Sequence, residues 1–258
     1  MLDDPELNRA SKHKVVKQHK NSKLQTTGIW TLASYINHSC NPTTERSFIG
    51  DLQIVRAARD MPENTELSCE YIKRVDEMDK KLSNGWGFLC DCALCVDERE
   101  SSNSLKVQRR KLIKDFSAPN TSNKKKKEII KEFNKTFQHP SSEVPRIELW
   151  DLHFSLVKDL AKRGEGEKVV EQVIAAFHSI GFLLKGGQVL PSRPSTIVVK
   201  RWGYPHQGAT SAWLTLRNVY LSYGMDELAE QAKEFARNTW MLQVGEDTTF
   251  VYDNPPKE

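Results

Sequence analysis

The chain has no apolar run long enough to span a bilayer. Its first residues, Met1 to Arg9, are polar and acidic, unlike a secretory leader. Neither a membrane partner nor export is therefore expected. It also has no strong excess of one charge: 38 basic and 34 acidic residues leave +4, too mild to argue for direct nucleic-acid contact. It has only five cysteines, an odd number in tight clusters, which argues against a disulfide framework and for thiolates in a reducing compartment. Apolar residues at 38% and charged residues at 28% suit a soluble protein with a modest core, in one large domain or two small ones.

What is present is concentrated in two places. Cys90, Cys92 and Cys95 lie within six residues, and Cys40 stands in Asn37-His38-Ser39-Cys40-Asn41-Pro42 upstream. Four thiols at this spacing predict a tetrahedral zinc site that ties two distant stretches together. The bland alternative is a set of unpaired structural thiols. Cys69 is expected to be a small buried residue and not a fifth ligand.

The chain divides by character. Residues 1–27 read as a basic arm or solvated helix, with lysines on a weak helical period. An apolar stretch from Ile29 to Ile36 follows. Phe48 to Arg56, around Gly50-Asp51, predicts a hairpin. Met61-Pro62-Glu63-Asn64 predicts a turn with Asn64 left-handed, and Glu66 to Ile72 reads as a strand. Residues 98–127 are expected as a polar linker ending in the Lys124–Lys127 run, which reads as a solvated helix start or a nuclear-localisation signal. Residues 128–252 read as helical. Two helix-turn-helix units sit 60 residues apart, Leu156 and Leu160 before Gly164 in one, Leu216 and Tyr220 before Gly224 in the other. The second resembles a tetratricopeptide repeat, departing from it at Arg217 and Lys233; an ordinary helix pair is the simpler reading.

Three motifs carry a family resemblance. Gly28 to Pro42, ending Asn-His-Ser-Cys-Asn-Pro, resembles the C-terminal core of a SET domain, the catalytic fold of S-adenosylmethionine-dependent protein-lysine methyltransferases. Glu66-Leu67-Ser68-Cys69-Glu70-Tyr71 resembles that family's Glu-Leu-x-x-x-Tyr element, and Trp86 to Cys95 its post-SET zinc segment. With helices following, the layout is most similar to SET-and-MYND proteins and fungal SET proteins with tetratricopeptide-like regions, without a MYND finger. The resemblance implies an α+β fold: a small β-rich partial SET unit over residues 28–97, with a pseudoknot and a post-SET zinc site, then a helical region. It implies that Asn37 and His38 hold the amino-acid end of the methyl donor, that Tyr71 stands by the sulfonium and the amine, and that Phe88 covers the adenine. It further implies zinc on Cys40, Cys90, Cys92 and Cys95, a protein substrate with a target lysine, and a nuclear or cytoplasmic location. Without the motifs, each of these residues reads as ordinary packing or backbone satisfaction.

One family element is missing. No Gly-x-Gly precedes Asn37, and Asn64-Thr65 stands where Gly-Glu is usual. The expectation is a fragment or truncated form of a lysine methyltransferase. The alternative is a non-catalytic, zinc-stapled interaction module.

Overall fold

The structure, a computed structural model, describes residues 28–75, 77–189 and 196–250; the expected basic arm lies outside them. Mixed helices and small sheets make this an α+β protein.

Leading into the first half, the apolar stretch before Asn37 forms a short 3-10 turn, Ala33–Tyr35, not a strand. Strand β1 (Asn37–His38) pairs in parallel with β4 (Ser68–Cys69), matching Asn37 to Ser68 and His38 to Cys69. Between them β2 (Thr44–Ile49) and β3 (Leu52–Ala57) form the expected antiparallel hairpin. Gly50 takes a positive φ of 57° at its tip, and Asn64 adopts 63° as its turn requires. The strand expected over Glu66–Ile72 shrinks to two residues. The reason lies in its hydrogen bonds: beyond Cys69 the Tyr71 amide donates to the His38 ring, not to a neighbouring strand. Helix α1 (Met78–Trp86) and helix α2 (Ala93–Glu100) complete this half.

The expected polar linker is mostly helical. Helix α3 (Asn103–Phe116) and helix α4 (Asn123–Asn134) begin at Ser102 and Ser122, whose hydroxyls accept the amides of Leu105 and Lys125, each at 3.3 Å. The apolar residues of α3 are few but helically spaced, and Leu112, Ile113 and Phe116 pack on the main core. The lysine run forms the first turns of α4. Lys126 is committed to Asp159 at 2.6 Å and lies over the Phe116 ring.

The two expected helical hairpins are α5 (Ile147–Ala161) with α6 (Gly166–Ser179), and α7 (Ala209–Ser222) with α8 (Asp226–Val244). Gly164 (φ 70°) and Gly224 (φ 66°) make the turns. Between the hairpins, β5 (Leu183–Lys185) and β6 (Val198–Arg201) pair antiparallel. An aromatic column threads the core, with Phe177–Trp213 centroids at 4.3 Å and Trp213–Phe235 at 4.8 Å.

A second, smaller cluster gathers Cys40, Met78, Leu82, Cys90, Leu94, Cys95 and Val144. The helical half also grips the hairpin. Arg56 donates to the Gly245 carbonyl at 2.6 Å, and Tyr204 donates to Glu70 Oε1 at 2.6 Å. The sheet residues that carry the site are thus fixed from behind by helices far along the chain.

Candidate active site and metal centre

Two short parallel strands place the motif residues. Because β1 and β4 are in register, Asn37 and His38 lie beside the segment that turns into Tyr71. Ser39 extends the pairing by donating its amide to the Cys69 carbonyl at 3.1 Å. Asn37 Nδ2 donates to Glu66 Oε1 at 2.8 Å, which leaves its amide oxygen for another partner.

His38 is held at both ring nitrogens. Nδ1 accepts the Tyr71 amide at 3.0 Å, so the ring proton of the neutral form sits on Nε2, 3.2 Å from Cys40 Sγ. An N–H aimed at sulfur suits a thiolate. With both nitrogens engaged, the His38 ring is left with Tyr71 and Phe88 as its aromatic neighbours.

Tyr71 donates its hydroxyl to the Ile36 carbonyl at 2.9 Å, leaving its oxygen lone pairs free. Burial pushes its phenol above the ordinary range, with Cys69 adding to the rise, so it is neutral at physiological pH. Its ring lies 5.3 Å from His38, 5.8 Å from Trp86 and 6.4 Å from Phe88, while Phe88 is 5.9 Å from His38. Asn37, His38, Tyr71 and Phe88 all line one cavity of about 400 Å³, walled further by Glu66 and the Leu89–Cys92 loop. That volume is in the range of small-molecule sites. A second cavity of about 180 Å³ opens against Tyr71 and is lined by Glu45, Arg46, Phe48 and Glu70. Tyr71 is a wall of both.

The four expected metal ligands come together. The sulfurs of Cys40, Cys90, Cys92 and Cys95 all lie within 4.8 Å of one another, and Cys40 and Cys95 approach to 3.5 Å. Tetrahedral thiolates at Zn–S of about 2.3 Å stand about 3.8 Å apart, so the donor set and spacing fit one zinc ion. Cys92 caps α2 and Cys95 is in its first turn, where the helix N-terminus favours negative sulfur. Arg74 stands beside Cys95 and pairs with Glu98. Cys69 is buried and outside the cluster, as expected. The ligand loop and Phe88 are continuous in sequence, so closing the metal site also sets the aromatic wall of the larger cavity.

Sequence reading missed Glu45, Glu70 and Tyr204. Glu70 sits at a variable position inside the Glu66–Tyr71 motif, but Tyr204 is 134 residues away from it and carries no local signal.

Comparison with known proteins gives the same region. Residues 5–72 match the family model of the SET domain. A protein named "Methyltransferase" from Gibberella zeae is 32% identical over 245 residues, 88% of this chain and 33% of that protein. "Histone-lysine N-methyltransferase SET5" from Meyerozyma guilliermondii is 32% identical over 106 residues, 34% of this chain and 22% of that protein. "Protein-lysine N-methyltransferase SMYD4" from Mus musculus is 39% identical over 77 residues, 28% of this chain and 10% of that protein. The chain therefore spans a third or less of the length of each of these relatives. The matched SET segment begins upstream of Gly28, within the stretch expected as a basic arm.

Proposed function

From this chain's standing as a SET-domain relative of the protein-lysine methyltransferases, we propose that it transfers a methyl group from S-adenosylmethionine to a lysine amine, as part of a longer enzyme. The single observation that carries the reading is the convergence of Asn37, His38, Tyr71 and Phe88 on one cavity, beside a second cavity that shares Tyr71. Displacement at a methyl carbon is in-line, so donor and acceptor must reach it from opposite sides. Two cavities that share Tyr71 as a wall support a reading with donor and acceptor in separate spaces.

When bound, S-adenosylmethionine supplies an electrophilic methyl group on a sulfonium. The larger cavity suits it: it has the volume, an aromatic wall for an adenine, and a phenol oxygen and ring faces that favour a cation. Asn37, through its free amide oxygen, and the backbone of His38 would meet the amino-acid end. Phe88 would cover the base. Tyr71, neutral and tied to the Ile36 carbonyl, would present its oxygen to the positive centre without itself reacting. Zinc on Cys40, Cys90, Cys92 and Cys95 would hold the Phe88 segment in place and take no part in the chemistry.

The relatives' names point to protein lysines as the acceptor class, histones among them. A nuclear or cytoplasmic location agrees with such substrates, and no described helix is long and apolar enough to cross a membrane.

The test is transfer of labelled methyl from S-adenosylmethionine to core histones by the complete protein, wild type against Tyr71→Phe. A drop of about a hundredfold in kcat with little change in donor affinity is expected, because the lost oxygen acts on the charge in transit. Unchanged transfer would remove Tyr71 from the mechanism.

A further inference from the structure

We propose that Glu45 is the carboxylate that meets the target lysine's ammonium in the smaller cavity and takes its proton, which makes Glu45 a further residue of the site on the acceptor side. The inference rests on the methyl-transfer reading for the identity of the amine. Its geometry stands separately.

The cavity of about 180 Å³ has two carboxylates, and they differ in occupation. Glu70 is used at both oxygens: Oε1 accepts the Tyr204 hydroxyl at 2.6 Å, and Oε2 pairs with Lys73 at 3.4 Å. Arg46 donates from Nη2 to the Glu70 carbonyl and forms no ion pair with Glu45. Glu45 is half-buried on β2, opposite Arg56 in the ladder, yet its carboxylate makes no hydrogen bond or ion pair among the described residues; Lys73 and Arg46 act on it through charge at longer range. A shielded carboxylate without a partner is costly unless something arrives to pair with it. The space beside it ends at Tyr71, where the acceptor amine is needed.

Ion pairing alone would hold the amine protonated and unreactive. Burial around Glu45 favours the neutral pair over the charged one. The ammonium N–H bond breaks, its electron pair stays on nitrogen, and an O–H bond forms on Glu45. A cation and an anion become two neutral groups, and the amine is left with a free lone pair. Burial has already pushed Glu45 up to about 6, ionised at neutral pH and readier than an ordinary carboxylate to hold a proton. Lys73, Arg46 and Glu70 face it from the sheet side, and Tyr204 and His206 from the helical half.

The probe is n-butylammonium, the end of a lysine side chain, titrated by NMR into the zinc-loaded chain. Wild type should bind it, with resonances near Tyr71 shifting. Affinity should fall about tenfold between roughly pH 7.5 and pH 5, as a group of pKa about 6 gains its proton. Glu45→Gln, checked for wild-type thermal unfolding, should bind at least about tenfold more weakly and show no such pH dependence. Failure of wild type to bind, equal binding by Glu45→Gln, or a pH-independent wild-type affinity would overturn the proposal. S-adenosylmethionine binding, measured separately, decides the methyl-transfer reading whatever this titration gives.

Discussion

Tyr204 donates its phenolic proton to Glu70 across 2.6 Å, joining the helical half to the residue that precedes Tyr71. Tyr204 is buried, and burial together with the Glu70 charge pushes its own ionisation far up, so it remains a donor at any physiological pH. The helices are therefore part of what holds the site strand.

Removing that hydroxyl should be felt as stability. Tyr204→Phe leaves a largely buried carboxylate oxygen without its donor, at a cost of about 1.5–3 kcal/mol. Urea unfolding of the two proteins checks it. An effect below a few tenths of a kcal/mol would mean that water replaces the phenol freely.

The zinc clasp should be separable from the helical core. The cluster around Cys40, Cys90 and Cys95 is distinct from the large core of Leu156, Phe177 and Trp213. Metal analysis should find one zinc per chain, and Cys40→Ser should lose it. Structural zinc is worth about 10–16 kcal/mol in small peptides, so chelation should unfold the first half. Far-ultraviolet circular dichroism should retain most of its helical signal while the Trp86 environment changes. Collapse of all helical signal on chelation would show one cooperative unit.

Acid should destabilise the fold through His206. Burial, with Lys73 adding, depresses its imidazole from 6.5 to about 4. Nδ1 accepts the Gly208 amide at 3.0 Å, a bond that only the unprotonated nitrogen can make. A base with a lowered folded pKa leaves stability intact above pH 6.5 and erodes it as pH falls toward 4, because the unfolded chain takes the proton first. Allowing for partial exposure, the loss is on the order of 2 kcal/mol. Glu45 opposes it: with its folded pKa raised from 4.5 to about 6, it steadies the fold as pH falls through that window. The clean readout is the difference between wild type and His206→Gln, which should lose the acid limb. Parallel pH profiles would contradict the assignment.

The parts of this structure legible from sequence are those set by local chemistry. The hairpin at Gly50 and the turn at Asn64 follow from backbone demands that few residues meet. The gathering of the four cysteines was legible from their number and spacing, which match the donor set of one metal, whatever folds between them. Helix α3 was obscured because charged residues separate Leu105 from Leu112, Ile113 and Phe116, although the spacing is helical and Ser102 marks the cap. The strand expected over Glu66–Ile72 failed because its alternation cannot reveal that the Tyr71 amide is spent on an imidazole. Tyr204 and Glu45 owe their importance to what lies opposite them in space, which no window of sequence contains.

Calorimetric titration of the zinc-loaded chain with S-adenosylmethionine decides whether the cavity walled by Asn37, His38, Tyr71 and Phe88 binds the methyl donor. Saturable binding of one molecule per chain is expected, at least about tenfold weaker in Phe88→Ala, where an aromatic wall worth about 1.4 kcal/mol or more is removed. No detectable binding by the folded, zinc-loaded chain, or binding indifferent to Phe88, would contradict it.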